Sequence, residues 1–318
     1  MFKIFAIIFA LWSPTLLSSS IAQGIELKTV SKPWVRVNQT INHLRLDPKN
    51  KFAAFIDSSG LGLKVLDFKD KAIYQVSKAQ IGSSFFWSPD GYRIFYRELT
   101  KSSDNKVVSV LKAYDCFLHQ SVTVEKMDYP TGILTFDPRD LRMSLMSAKG
   151  LKTKRIYFPD ERLARWQVAQ RTDKGKWVVT QKAVLWVTQG GYSIRKLEDD
   201  GSAIESFDIS PDGSAIAWAT KNGEIYTNRG GSKSKFLDHG RDPKWHPDRL
   251  QLIYSGARMV GRQAVNYDLK ISDINGSKRF LTSSQFANER WPQWNEKLGQ
   301  IVFTKDKTTD LYVLDFRE

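Results

Sequence analysis

The chain has a single cysteine, Cys116, so no internal disulfide can form. That excludes a small stapled scaffold and leaves a core that must hold itself together by burial. Histidine is nearly as scarce. The four present (His43, His119, His239, His246) include no His-Glu-x-x-His, and none has a cysteine beside which to hold zinc. No Gly-x-Ser-x-Gly occurs, which removes the nucleophile elbow of the propeller-fronted peptidases. Acid is also short: 34 Asp and Glu stand against 48 Lys and Arg, a formal net charge of +14. Such an excess draws anionic partners, whether acidic protein, phosphorylated glycan, anionic lipid at a membrane surface or nucleic acid.

Beyond the first residues no apolar run is long enough to cross a bilayer. At the start, Met1-Phe2-Lys3 leads into the apolar run Ile4–Trp12, then Pro14, a serine cluster and Ser20-Ile21-Ala22. This is the charged, apolar, small-x-small order of an export signal, with removal expected after Ala22. The expected organisation is therefore a signal at residues 1–22 and one periplasmic domain at 23–318. Export sets nucleic acid aside as a partner.

What the chain has in quantity is a hairpin. Phe85–Tyr96 reads FFWSPDGYRIFY, and Phe207–Trp218 reads FDISPDGSAIAW. Proline pre-sets φ at the first central turn position, aspartate bonds within the turn, and glycine accepts φ > 0. The flanking residues alternate as half-buried strands do. Taking the turn as a marker, seven units follow at 48, 89, 138, 173, 211, 247 and 296, spaced 35 to 49 residues apart. The fourth, Thr172–Gly175, is degenerate. A third apolar segment follows each hairpin (Leu63–Phe68, Val107–Tyr114, Val184–Val187), and often a fourth (Ile73–Val76, Ile194–Leu197, Phe280–Thr282).

Four short strands per unit at this period, without long amphipathic helices, describe propeller blades. The expected fold is an all-β propeller of seven four-stranded blades, or six if the fourth unit is not a blade. Unit seven ends after three strands, and the expected fourth is Ile25–Val30, closing the ring three-plus-one and covering two sheet edges.

The SPDG hairpins, with Asp268–Thr282 (DLKISDINGSKRFLT), resemble the WD40-like repeat of the periplasmic TolB propeller family. TolB proteins carry a separate N-terminal α/β domain and six blades, and the seven units counted here depart from that. The resemblance implies an exported, stand-alone binding propeller.

No catalytic constellation emerges. Asp90 and Asp212 of the SPDG turns read as turn-formers, His246 as a residue in the serine place of its turn, and Cys116 as a buried small hydrophobe. Gly60-Leu61-Gly62 lacks the third glycine of a dinucleotide fingerprint. No cofactor and no metal ligand are expected.

Two stretches stand out. Arg241-Asp242-Pro243-Lys244-Trp245 and Arg290-Trp291-Pro292-Gln293-Trp294 occupy equivalent lead-in places before the turns of units six and seven. The prolines and tryptophans suit packing between blades. Arg241 and Arg290, with Asp242 and Trp291, are the expected partner-binding residues at one mouth of the channel, where guanidinium forks suit carboxylate or phosphate. Separately, the segment Lys149–Arg171 is strongly basic.

The leading expectation is a non-enzymatic propeller binding an envelope protein or anionic polymer. The alternative is a propeller hydrolase or lyase acting on a glycan or lactone with a channel-bound metal.

Overall fold

A computed structural model describes residues 31–57, 61–81, 85–101, 103–127, 134–137, 142–147, 150–155, 175–188, 194–197, 199–273, 276–284 and 287–316; between 127 and 174 the described side chains are those of Thr135 and Ser144. The expected signal at 1–22, the segment Ile25–Val30 and most of Lys149–Arg171 lie outside these residues.

The described chain is built from strands. In order they are β1 (Lys32–Arg36), β2 (Ile41–Leu46), β3 (Phe52–Asp57), β4 (Leu61–Asp67), β5 (Ile73–Gln80), β6 (Phe85–Trp87), β7 (Arg93–Lys101), β8 (Val107–Asp115) and β9 (Gln120–Met127). Next come β10 (Leu134–Asp137), β11 (Arg142–Ser147), β12 (Gly150–Arg155), β13 (Lys176–Val179), β14 (Val184–Val187), β15 (Ile194–Lys196), β16 (Ile204–Ile209), β17 (Ala215–Thr220) and β18 (Glu224–Arg229). The last are β19 (Lys235–Trp245), β20 (Gln251–Val260), β21 (Gln263–Asp273), β22 (Lys278–Phe280), β23 (Glu289–Asn295), β24 (Gln300–Lys305) and β25 (Asp310–Asp315). Among the described residues the one helical element is a single 3-10 turn, Glu296–Leu298.

All the pairings are antiparallel between sequence neighbours, except one. The sheets run β2–β5, β6–β9, β10–β12, β13–β15, β16–β22 and β1-β25-β24-β23. In the seven-stranded sheet, β19 does double duty. Its first half pairs with β18 and its second half with β20, so the sheet is two four-stranded halves joined through one long strand. The exception is β1, which pairs with β25 at the other end of the chain.

That pairing strand is Lys32–Arg36 rather than the expected Ile25–Val30. Its composition hid it, since Pro33 and two terminal basic residues read as a poor strand. An outer position tolerates proline because its N–H is not needed for a ladder bond. Trp34 packs on Phe68 with ring centroids 4.5 Å apart, and Val35 is buried, so the strand is held by side chains as well as by its ladder.

The core is divided between sheets. One cluster joins Ala54, Ile56 and Val65 to Phe85, Ile94 and Tyr114, the β2–β5 sheet against the β6–β9 sheet. Another joins Ala53, Phe55 and Leu66 to Trp291, Val302 and Val313 of the sheet that holds both chain ends. Three further clusters bridge β13–β15 to β16–β18, β16–β19 to β20, and β20–β22 to β23–β25. Each second strand (β3, β17, β24) is buried on both faces, which is why these read as unbroken apolar runs.

Candidate functional site

The two ends of the innermost strands are built differently. At the turn end the chemistry is local. Ser210 Oγ donates to Asp212 Oδ1 at 2.6 Å, and Asp212 Oδ1 accepts from Ser214 N at 3.0 Å. Ser88 and Asp90 repeat the arrangement, with Tyr92 N donating to Asp90 Oδ1 at 3.1 Å. His246 stands in for the serine and accepts from Asp248 N at 3.1 Å. These aspartates and this histidine are turn-formers. Cys116 is buried, and burial pushes its thiol pKa well up, as for an inert hydrophobe.

At the lead-in end four of these strands, β2, β16, β19 and β23, bulge. His43 and Leu44 together face Phe55, because the register jumps between Asn42 and Arg45. Asp242 and Pro243 oppose Tyr254 in the same way, and Trp291 and Pro292 oppose Phe303. The first residue of each bulge has left-handed backbone, with φ of 50° at His43, 54° at Asp242 and 56° at Trp291. Proline fits the second place, where no ladder N–H is wanted. The fourth strand of the set, β16, bulges at Glu205, between Ile204 and Ser206. Left-handed backbone at a histidine and a tryptophan costs about 1–3 kcal/mol each and persists only where surroundings impose it.

The bulges turn side chains across from strand to strand. Arg290 grips Asp242 with two bonds, Nε to Oδ2 at 2.6 Å and Nη2 to Oδ1 at 3.2 Å, and Trp291 N donates to the same carboxylate at 3.1 Å. Arg241 Nη1 donates to Glu205 Oε1 at 2.7 Å, while Arg290 Nη2 approaches that oxygen at 3.6 Å. Lys244 Nζ donates to Asp208 Oδ1 at 2.9 Å, and Trp245 N to Asp208 Oδ2 at 2.9 Å. Burial works against the Arg290 charge, but Asp242 and Glu205 outweigh it and raise its pKa. Glu205 goes the other way: burial raises its carboxyl despite Arg241 and Arg290, and among the described residues its buried Oε2 has no hydrogen-bond partner.

The His43 ring packs on Trp291 with centroids 4.3 Å apart and the planes tilted by 51°. Burial lowers its pKa to about 4; Asp242 opposes this, while Arg45 and Arg290 add to it, so the ring is neutral at neutral pH. A pocket of about 460 Å³, its open mouth included, lies between the four strands. His43, Arg45, Glu205, Asp208, Asp242 and Trp291 are in its wall.

The tryptophans before the turns do structural work. Trp87 Nε1 donates to Arg45 O at 3.0 Å, Trp245 Nε1 to Asp208 O at 3.2 Å, and Trp294 Nε1 to Lys244 O at 3.3 Å. All three acceptors hold the same place in the preceding unit, so each indole pins its strand to the one before.

The structure thus brings Arg241, Asp242, Arg290 and Trp291 into one connected group at the lead-in end. Both guanidinium groups are already engaged by carboxylates of this chain, and their side chains are 27% and 15% exposed. Sequence reading missed Glu205, His43 and Arg45. The available signal was place: His43, Asp242 and Trp291 each lie five residues before their turn marker. Among the described residues no group of three or more His, Cys, Asp or Glu is arranged to hold a metal, and the wall carboxylates of Glu205, Asp208 and Asp242 each face a cation of this chain.

No family model matches the chain, and no curated protein matches it by sequence. Solved structures do. The β-propeller domain of Myceliophteria thermophila Cps50 (Swd1) aligns over 91% of this chain and 99% of its own, at 11% identity and a TM-score of 0.56. An oligogalacturonate lyase in complex with manganese aligns over 88% of this chain and 78% of its own, at 14% identity and a TM-score of 0.46. The oligogalacturonate lyase of Vibrio parahaemolyticus covers the same shares at 11% identity and 0.45. With the sheet pattern above, the first of these identifies the fold as a β-propeller and says nothing of activity.

Proposed function

We propose that this chain is a seven-bladed propeller of the TolB-like type, with β1 as the fourth strand of the last blade, exported to the periplasm and acting as a non-enzymatic binding module. Its binding face is the channel mouth built by the lead-in bulges, and its partner is an envelope protein or anionic polymer. The observation that carries this reading is the repeated left-handed bulge at His43, Asp242 and Trp291 around one pocket. Three strained non-glycine residues at one place in three blades cost stability, and strain of this kind clusters at ligand sites. Loops and openings at propeller mouths are also the usual place for recognition.

Arg241, Asp242, Arg290 and Trp291 then serve the partner as a pre-organised group. The ion pairs hold the guanidinium planes still, so that their remaining N–H donors and the Trp291 edge are presented without further ordering. The strongly basic balance of the chain adds attraction at longer range, which salt would screen within about 10 Å at 0.1 M.

The test is site-directed photo-cross-linking in the native envelope. A photoreactive phenylalanine replaces Tyr267, whose hydroxyl accepts from Arg241 Nε at 3.2 Å, or Phe117, which is 59% exposed near the turn end. Adducts from position 267 and none from 117 are expected. Adducts only from 117 would move the binding face to the turn end.

A further inference from the structure

The cations around the channel are matched one to one with carboxylates, with a single exception. Arg241 has Glu205, Arg290 has Asp242, and Lys244 has Asp208. Arg45 lines the same pocket, and among the described residues its guanidinium makes no ion pair and no hydrogen bond. Its guanidinium carbon lies over the Phe85 ring, 5.6 Å from the centroid, a contact with the ring face that positions the group and leaves its N–H donors without acceptors among the described residues. The nearest anion in its field, Asp208, is taken by Lys244 and by the N–H of Trp245. Burial accordingly lowers the Arg45 pKa, with only Asp208 opposing. With His43 neutral, the lead-in ends of these strands together carry four cations (Arg45, Arg241, Lys244, Arg290) against three anions (Glu205, Asp208, Asp242), and Arg45 and Lys244 are the two cations that line the pocket itself.

We propose that Arg45 anchors a carboxylate-bearing ligand in the channel, its guanidinium donating to the carboxylate oxygens beside the tilted His43–Trp291 pair. The inference rests on the mouth being the binding face and names what enters it. One excess positive charge matches one carboxylate. A phosphate monoester brings nearly two negative charges to a wall that already holds Glu205, Asp208 and Asp242. The planar fork of guanidinium donors also fits a carboxylate bidentately. The carboxylate can belong to a peptide chain or to a free small acid, and the experiment separates the two.

The full mature chain and its Arg45→Met variant are titrated calorimetrically with four probes. These are sodium acetate, inorganic phosphate, a flexible pentapeptide with a free C-terminal carboxylate, and the same peptide amidated. Methionine keeps the length and apolar stem of Arg45, so melting temperature should be unchanged or higher. The free peptide is expected to bind the parent at least about tenfold more tightly than its amide, and at least about tenfold more tightly than it binds Arg45→Met. Acetate binding as strongly as the peptide assigns the site to small acids, and peptide binding alone assigns it to a chain terminus. Both support the proposal. Phosphate binding more tightly than acetate, equal binding by parent and variant, or no binding by any probe would overturn it. Cross-linking through position 267 is run in the Arg45→Met background as well. Undiminished adducts there retain the mouth as the binding face and reject Arg45 as its anchor, whereas absence of adducts in both backgrounds rejects the mouth itself.

Discussion

The innermost strands have a turn end and a lead-in end, and the two solve the same problem in opposite ways. Both need backbone with positive φ. The turn end uses glycine or asparagine, residues that accept this backbone, with φ of 75° at Gly91, 63° at Gly213 and 55° at Asn50, and bonds spanning two to five residues close it. The lead-in end uses His43, Asp242 and Trp291, and its bonds reach 36 to 50 residues away into the neighbouring sheet. One end is relaxed and closed on itself. The other is strained and presents charged groups to a shared opening. That contrast is the ground on which the lead-in end is proposed as the binding face.

The comparison breaks most severely at Asp242. Asp242→Asn keeps a residue that tolerates left-handed backbone but leaves Arg290 without its bidentate partner at a nearly buried site. A loss of about 3 kcal/mol is expected in urea unfolding. Reversing Arg290 in turn would test folding before it tested binding.

Two glycines with left-handed backbone, Gly91 at the turn end and Gly261 in the hairpin between β20 and β21, should respond unequally. A Cβ on Gly91 would meet the buried Asp47 carboxylate at 2.6 Å, besides the strain at its φ, so Gly91→Ala should cost about 2 kcal/mol or more. Gly261→Ala, at φ of 62° with open space where the Cβ would stand, carries the backbone strain alone, about 1–2 kcal/mol. Equal losses in thermal unfolding would show that the Asp47 contact does not matter.

Trp245→Phe removes one indole N–H from Asp208 O while keeping most of the ring, and about 1 kcal/mol should be lost. The last test concerns pH. The pKa of His43 falls from 6.5 unfolded to about 4 folded, so the unfolded state binds more protons between these values. Stability from this group is therefore complete above pH 6.5 and is lost as pH falls towards 4. Glu205 and Glu289, whose carboxyl pKa values burial raises, slope the other way near their own range. The difference between the parent and His43→Asn isolates the histidine, and identical pH profiles would show that its ring is already solvated.

The turn end was legible in the sequence because its bonds are local. Ser-Pro-Asp-Gly specifies the hairpin by itself, and Phe52–Phe55, Val184–Val187 and Ile301–Phe303 fall in strands where the apolar pattern puts them. The lead-in end was legible only in part. Arg241 and Arg290 were visible because they repeat, but Glu205 reads as an ordinary polar residue between Ile204 and Ser206. Its partners lie 36 residues on at Arg241 and further still at Arg290. Arg45 has no signature either, since its place in the wall follows from where four strands converge. The pairing of β1 with β25 was legible as a need and not as a segment. An unfilled edge could be inferred from the three strands of the last unit, whereas Lys32–Arg36 is specified by the pocket for Trp34 beside Phe68.

The central claim is that the lead-in end binds and the turn end does not. Amide hydrogen exchange tests it most directly, on the full mature chain alone and with the purified partner identified by cross-linking through position 267. The account predicts slowed exchange across 42–45, 205–208, 241–244 and 290–293, with 47–52, 88–93 and 210–215 unchanged. Protection confined to the turn segments would contradict it.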